Sequence, residues 1–239
     1  MLYSIDINCD MGEGMPNDAQ LMPFIHSANI ACGYHAGDED MMQKTVELAL
    51  EYNVKIGAHP SFPDRANFGR TNLHFPPDEI CDMVKKQIDI LSNITAKNHT
   101  TLHHIKPHGA LYNMAAKDET IAKAIIKAIL ETDAALKLYA LSGSVFIQIA
   151  ESMGIASFHE VFADRTYLPD GSLTPRSQPN ALLTDPHEAA KQVLQMVQKG
   201  TVMAEGQPIP IKVDTICIHG DGTHAVEFAQ TIYTLLFHA

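Results

Sequence analysis

Apolar residues along the chain fall into two alternating patterns. Seven short stretches read as strands: Tyr3 to Asn8, Ala28 to Cys32, Val54 to Ala58, Thr101 to Ile105, Leu136 to Leu141, Ala156 to Phe162 and Val213 to Ile218. Between them the apolar spacing lengthens to that of a helix. LMPFIHS predicts a short helix, and Met42, Val46, Ala49 and Leu50 form a stripe on a second. Ile80, Val84, Ile88, Leu91 and Ile94 follow Pro77, a residue suited to a first helical turn. Asp118 opens a run through Ile121, Ala122, Ile125 and Ile129, with KPHGALYN before it read as a loop. Val145 to Met153, a helix beginning DPHEAAKQV and stopped by Gly200, and Ala225 to Phe237 complete the set. TVMAEGQPIPIK predicts a hairpin turning at Gly206.

Seven strand–helix alternations without a domain-like linker imply a parallel sheet in one domain spanning residues 1–239. The count favours a TIM-like, seven-stranded, incomplete β/α barrel. An open doubly wound sheet is the alternative, because periodicity does not say whether the first and last strands meet.

Composition narrows the class. In 239 residues, 46% are hydrophobic and 19% charged, which is the balance of a globular chain. The net charge of −11, with Lys and Arg scattered, argues against nucleic acid and anionic membrane surfaces as partners. The N-terminus lacks a basic region ahead of an apolar stretch, and no apolar run is long enough to span a bilayer, so the expected location is cytoplasmic. Four cysteines, Cys9, Cys32, Cys81 and Cys217, are too dispersed for a disulfide framework, and packing is favoured over a nucleophilic role for those at strand ends.

In either α/β architecture the C-terminal ends of the strands form the ligand site. Chemically capable residues concentrate there: Asn8, Asp10 and Glu13; His35 and Asp38; His59 and Asp64; Lys106 and His108; Asp164 and Arg165; His219 and Asp221. Only the fifth loop, LSGSV, is short and neutral. A single histidine beside an apolar strand is usually buried packing, but four at separate strand ends weaken that explanation. His103, His104 and His159 lie within strands, where inward packing is expected, and His26, His74, His99, His187, His224 and His238 lack this registry. Two long loops, after the third and sixth strands, carry Arg65, Arg70, Arg165 and Arg176, a cationic set suited to a carboxylate or phosphate.

Read together, DINCDMGEG, SANIACGYHAGD, GAHPSFPD, FGR, KPHGALYN, VFADRTYLPDGSLTPRSQP and HGDG resemble the LamB/YcsF family from Asp6 to about Asp221. Thr71 stands where the family commonly has a second Arg after FGR. The resemblance implies a barrel of the glycoside hydrolase and deacetylase type and a hydrolase acting on a cyclic amide. The reaction it implies is cleavage of 5-oxo-L-proline (pyroglutamate) to L-glutamate, with ATP as co-substrate and with two further subunits, B and C, as partners. No G-x-x-x-x-G-K-[ST] loop is present, which excludes a P-loop mode of ATP binding but not ATP binding as such.

For such a reaction the expected catalytic groups are Asp10, His35, His59, Lys106 and His108, with Lys106 and Arg165 suited to a substrate carboxylate or transferred phosphate. Asn8, Asp38, Arg70, Asp164, Arg165, Arg176 and His219 are the expected substrate-binding residues. A divalent metal is the sharpest alternative mechanism, with Asp10, His35, His59 and His219 as a mixed nitrogen and oxygen set for Zn²⁺ or a similar ion. A metal-dependent deacetylase or glycosidase acting alone, and a barrel without chemistry that serves only for docking within the same complex, are the competing function classes.

Overall fold

Alternation along the strands sends polar side chains inward and apolar ones outward, and this inversion shapes the molecule. In the computed structural model, which describes residues 4–220 and 225–238, the first strand is β1, Asp6–Met11. It is followed by β2, Ser27–Ala31, β3, Lys55–His59, β4, His104–Ile105, β5, Lys137–Leu141, and β6, Ser157–Phe162. A hairpin of β7, Thr201–Ala204, and β8, Gln207–Pro210, precedes β9, Thr215–Ile218. Strands β1 to β6 and β9 pair in parallel as a closed seven-stranded barrel, with β9 between β6 and β1. Closure decides against the open sheet. One unit short of eight, the barrel still leaves no strand edge.

Ile7, Cys9 and Met11 of β1 join the apolar layer beneath the helices. Hydrogen bonds between strands that are not neighbours show which side chains fill the lumen. Ser27 on β2 meets Tyr139 on β5 at 3.2 Å, and His104 on β4 donates from Nε2 to Asn29 Oδ1 on β2 at 2.7 Å. Asn8 donates to Thr215 at 2.8 Å and accepts from Asn29 at 2.8 Å. Buried polar groups carry little penalty when they are paired in this way. His104 is therefore inward packing, as the strand position predicts.

The helices are α1, Asp18–Leu21, α2, Glu39–Glu51, α3, Pro77–Lys97, α4, Gly109–Ala115, α5, Glu119–Thr132, α6, Val145–Ser152, α7, Pro186–Lys199, and α8, Ala225–Phe237. Asp118, Ser144 and Asp185 cap their helices through side-chain oxygens, and Gly200 ends α7 in the left-handed region. The hairpin turns at Glu205 and Gly206, both at positive φ, as a two-residue connection requires. LMPFIHS is not one helix: α1 begins earlier, at Asp18, and a 3-10 turn, Met22–Phe24, follows with Pro23 inside it. KPHGALYN is not all loop, because Gly109 starts α4. Among the described residues no helix is long and apolar enough to cross a membrane.

β4 pairs with β3 only at Gly57↔His104 and Ala58↔Ile105. An added Cβ on Gly57 would lie 2.1 Å from His104 Nε2, so the imidazole occupies the space a side chain would need. Gly57→Ala is expected to cost about 2–3 kcal/mol by overpacking the lumen, read as a lower midpoint of chemical denaturation. An unchanged midpoint would show that the β3–β4 contact yields freely.

Candidate active site

The ends of β1, β3, β4, β6 and β9 bring their polar residues to one mouth of the barrel. Asp10, at the end of β1, accepts at Oδ1 from Asn29 Nδ2 at 2.8 Å and from Lys106 Nζ at 2.9 Å. Its other oxygen lies 3.4 Å from His59 Nε2. Burial would raise this carboxyl, but His59 and Lys106 hold it well below the usual carboxylate range. Lys106 follows β4 and also donates to Asn8 Oδ1 at 3.1 Å and to Cys217 Sγ at 3.1 Å. Glu160 Oε1 stands 2.9 Å from the same ammonium, close enough for an ion pair but without hydrogen-bond alignment, while Tyr112 donates to Oε2 at 2.7 Å. Burial would lower the lysine, yet Asp10 and Glu160 keep it well above its ordinary value. Lys106, expected to meet a substrate carboxylate or phosphate, is paired here with two protein carboxylates.

Three imidazoles sit beside this pair. His59 donates from Nδ1 to the Lys106 carbonyl at 2.6 Å, and its Nε2 faces His108 Nδ1 at 2.9 Å. His108 donates from Nε2 to the Phe68 carbonyl at 2.9 Å. His35 stacks on His108 with ring centres 3.8 Å apart and reaches Glu13 Oε1 from Nε2 at 2.9 Å. Burial, followed by neighbouring His59, pushes His35 down to about 2, and burial likewise takes His108 well below its ordinary value.

The loop after β3 is bent to serve these rings. Phe68 adopts the left-handed region at φ +55, which aims its carbonyl at His108 and lays its ring edge-on against His35 and His108. Gly69, at φ +66, passes so close that a Cβ would lie 2.9 Å from atoms of both His108 and His35. Asp64 holds the turn by accepting from Asn67 at 2.8 Å and from the Thr71 amide at 3.0 Å.

The loop after β6 covers the opposite side. Arg165 is buried and donates to the carbonyls of Ala181 and Thr174 at 3.2 and 2.6 Å. Burial and neighbouring Arg176 push it down to about 10. His219 donates from Nδ1 to Asp164 at 2.8 Å and accepts at Nε2 from Arg176 at 2.9 Å, so both its ring nitrogens are engaged. Burial would raise Asp164, but His219 and Arg176 hold it below its ordinary value.

Between these loops lies a cavity of about 820 Å³. Asp10, His59, Lys106 and His108 line its floor, the exposed Arg70 and Arg176 lie nearer the rim, and Arg165 is a buried part of the lining. The volume falls in the range of small-ligand clefts. Most sequence-derived candidates thus converge, with Asn8 one layer below in the lumen and Asp164 tied to His219.

Asp38 does not converge: it is exposed and accepts from the Met41 amide at 2.9 Å as the N-cap of α2, so its expected substrate contact is replaced by a helix cap. The metal set Asp10, His35, His59 and His219 does not assemble as a unit either. His35 and His59 group with Glu13 and His108, whereas Asp10 and His219 lie together with Cys217. The thiols of Cys9, Cys32 and Cys217 are buried and pushed up by that burial, Cys32 to about 12, as packing residues would be. Asp221 and His224 lie outside the described residues.

Glu160 and Tyr112 were not legible as site residues. The only signal for Glu160 is an acidic residue placed before Val161 and Phe162 in the strand SFHEVF.

Comparison with known proteins places the sequence and the fold. The LamB/YcsF family model matches residues 5–239. A protein of Tolumonas auensis, named as the A subunit of 5-oxoprolinase, is 51% identical, with 100% of this chain and 97% of the relative covered. One of the same name from Brevibacillus brevis is 49% identical over 97% of this chain and 93% of the relative. Among solved structures, the lactam utilization protein of Thermus thermophilus superposes with a TM-score of 0.91 at 39% identity, covering 98% of this chain and 96% of that one.

Proposed function

The chain belongs to the LamB/YcsF family, and from that premise we propose that it is the A subunit of a hydrolase that opens 5-oxo-L-proline to L-glutamate, with ATP as co-substrate and with subunits B and C. The observation that carries the reading is one cavity combining a cationic rim with an ionised aspartate on its floor, in a chain matched end to end by relatives named for this substrate. A complex that spends ATP in this way belongs in the cytoplasm.

A five-membered lactam is an unactivated amide, so its ring carbon must be made electrophilic before water adds. In the proposed sequence, subunits B and C support transfer of the terminal phosphoryl group of ATP to the lactam oxygen. Water then adds to the ring carbon, the carbon–nitrogen bond breaks as nitrogen takes a proton, and an acyl phosphate remains. A second water releases phosphate and leaves the new carboxylate. Asp10 accepts a hydrogen bond from the attacking water and holds it against the ring carbon, with His59 and His108 shaping the floor beside it. Arg70 and Arg176 sit where the anionic groups of the substrate enter.

The chain alone, given ATP and 5-oxoproline, is expected to release little glutamate or phosphate, and addition of B and C is expected to restore both. Full turnover by the isolated chain would overturn the division of labour; no turnover in the reconstituted complex would overturn the substrate.

A further inference from the structure

Each of the three imidazoles at the site has its outer nitrogen committed to an acceptor. His59 Nδ1 and His108 Nε2 face backbone carbonyls, which only accept, so those nitrogens carry the protons. His35 Nδ1 faces Ser61 Oγ at 2.9 Å, and the hydroxyl gives its own proton to the Phe62 carbonyl at 3.0 Å, so His35 Nδ1 is also the donor. The inner nitrogens, His35 Nε2, His59 Nε2 and His108 Nδ1, are then bare lone pairs. They face one another and a Glu13 oxygen, all four atoms lying within 4.8 Å of one another.

Four acceptor atoms facing one another repel unless something positive lies among them. One proton between His59 and His108, 2.9 Å apart, leaves His35 against Glu13, also at 2.9 Å. A single cation satisfies all four. The separations from Glu13 Oε1 are 2.9 Å to His35, 3.4 Å to His108 and 3.8 Å to His59. They bracket the edge of about 3.3 Å expected for a tetrahedron with bonds near 2.0–2.1 Å.

We propose that Glu13, His35, His59 and His108 bind one divalent metal ion of the borderline class, Zn²⁺ or a close analogue, at the floor of the cavity. Three nitrogens and one carboxylate oxygen are the donor set that class prefers. The Lys106 and Phe68 carbonyls and Ser61 hold each ring in the tautomer that coordinates, as outer partners do in built metal sites. The neighbouring group of Asp10, Cys217 and His219 is not built in this way, because Lys106, Asp164 and Arg176 already occupy its donor atoms. With four protein ligands the site is closed, so the ion would hold the floor of the cavity in place next to Asp10.

The test needs no substrate, so it stands apart from the 5-oxoproline reading. The full chain, stripped with chelator, is titrated with Zn²⁺ by calorimetry and with Co²⁺ by visible absorption. One ion per chain is expected, with the intense d–d bands of a low-coordinate Co²⁺ centre and a raised melting temperature. His108→Ala is expected to weaken Zn²⁺ binding by more than about 100-fold, and Ser61→Ala by about 10–100-fold. His219→Ala is expected to leave both binding and spectrum as they were. Glu13→Gln provides the ligand-removal reading if His108→Ala does not fold. Absence of stoichiometric binding, binding indifferent to Glu13→Gln and His108→Ala, or equal loss in His219→Ala would each overturn the assignment.

Discussion

Asp10→Asn is expected to lower kcat of the reconstituted complex by about 10²–10³ with little change in KM or in melting temperature. The substitution keeps the shape of the site. An amide oxygen still accepts from Asn29 and Lys106, and the amide nitrogen faces His59 Nε2, which carries a lone pair. What disappears is a negative charge on the oxygen that faces the cavity. Because Asp10 is held well below the usual carboxylate range, it stays ionised at neutral pH and is a weak base. Its contribution is to orient the attacking water and to balance positive charge as the tetrahedral species forms. Glutamate release by the complex, with melting curves of the isolated chain, gives both readouts. Turnover within about threefold of the parent, a change far below what a transition-state contact supplies, would remove Asp10 from the chemistry. A large drop in melting temperature would make it a structural residue.

Much of this site follows from local pattern. Period-two alternation marks Asn8 and Asp10 as sharing one face of β1, and the strand-end rule places His59, Lys106 and His108 at the mouth. The hairpin at Gly206 and the bounds of α8 are legible for the same reason, since turn chemistry and helical spacing are local. Convergence is not local. That His219 meets Asp164 and Arg176 while Glu13 meets His35, His59 and His108 depends on barrel closure and on Phe68 adopting a left-handed conformation no residue pattern announces. Asp38 misleads because a helix N-cap and a ligand contact favour the same side chain. Glu160 escapes notice because a charge within a strand signals function only when a partner such as Lys106 is seen across the lumen. Gly109 hides α4, a short helix whose first residue reads as a loop residue.

Lys106→Met is expected to be the most destabilising substitution at the site. The ammonium lies between Asp10 and Glu160, each 2.9 Å away and both screened from solvent, with Glu160 wholly buried. Removing it leaves two carboxylates facing each other in the lumen without a cation between them. Breaking a buried pair of this kind costs about 3–5 kcal/mol, because the charge left behind has lost its partner without regaining water. For a chain of this size that corresponds to a fall in melting temperature of roughly 10 °C or more. Methionine fills most of the lysine's volume, so a cavity is not the source. The cause is testable by adding Glu160→Gln, which removes one stranded charge while its amide oxygen still accepts from Tyr112. If charge imbalance is responsible, the double variant recovers a substantial part of the lost stability, although Glu160→Gln alone does not stabilise the parent. Strictly additive losses would instead assign the effect to the hydrogen bonds of Lys106 with Asn8 and Cys217. Full stability of Lys106→Met would mean that Asp10 and Glu160 do not depend on the ammonium at all.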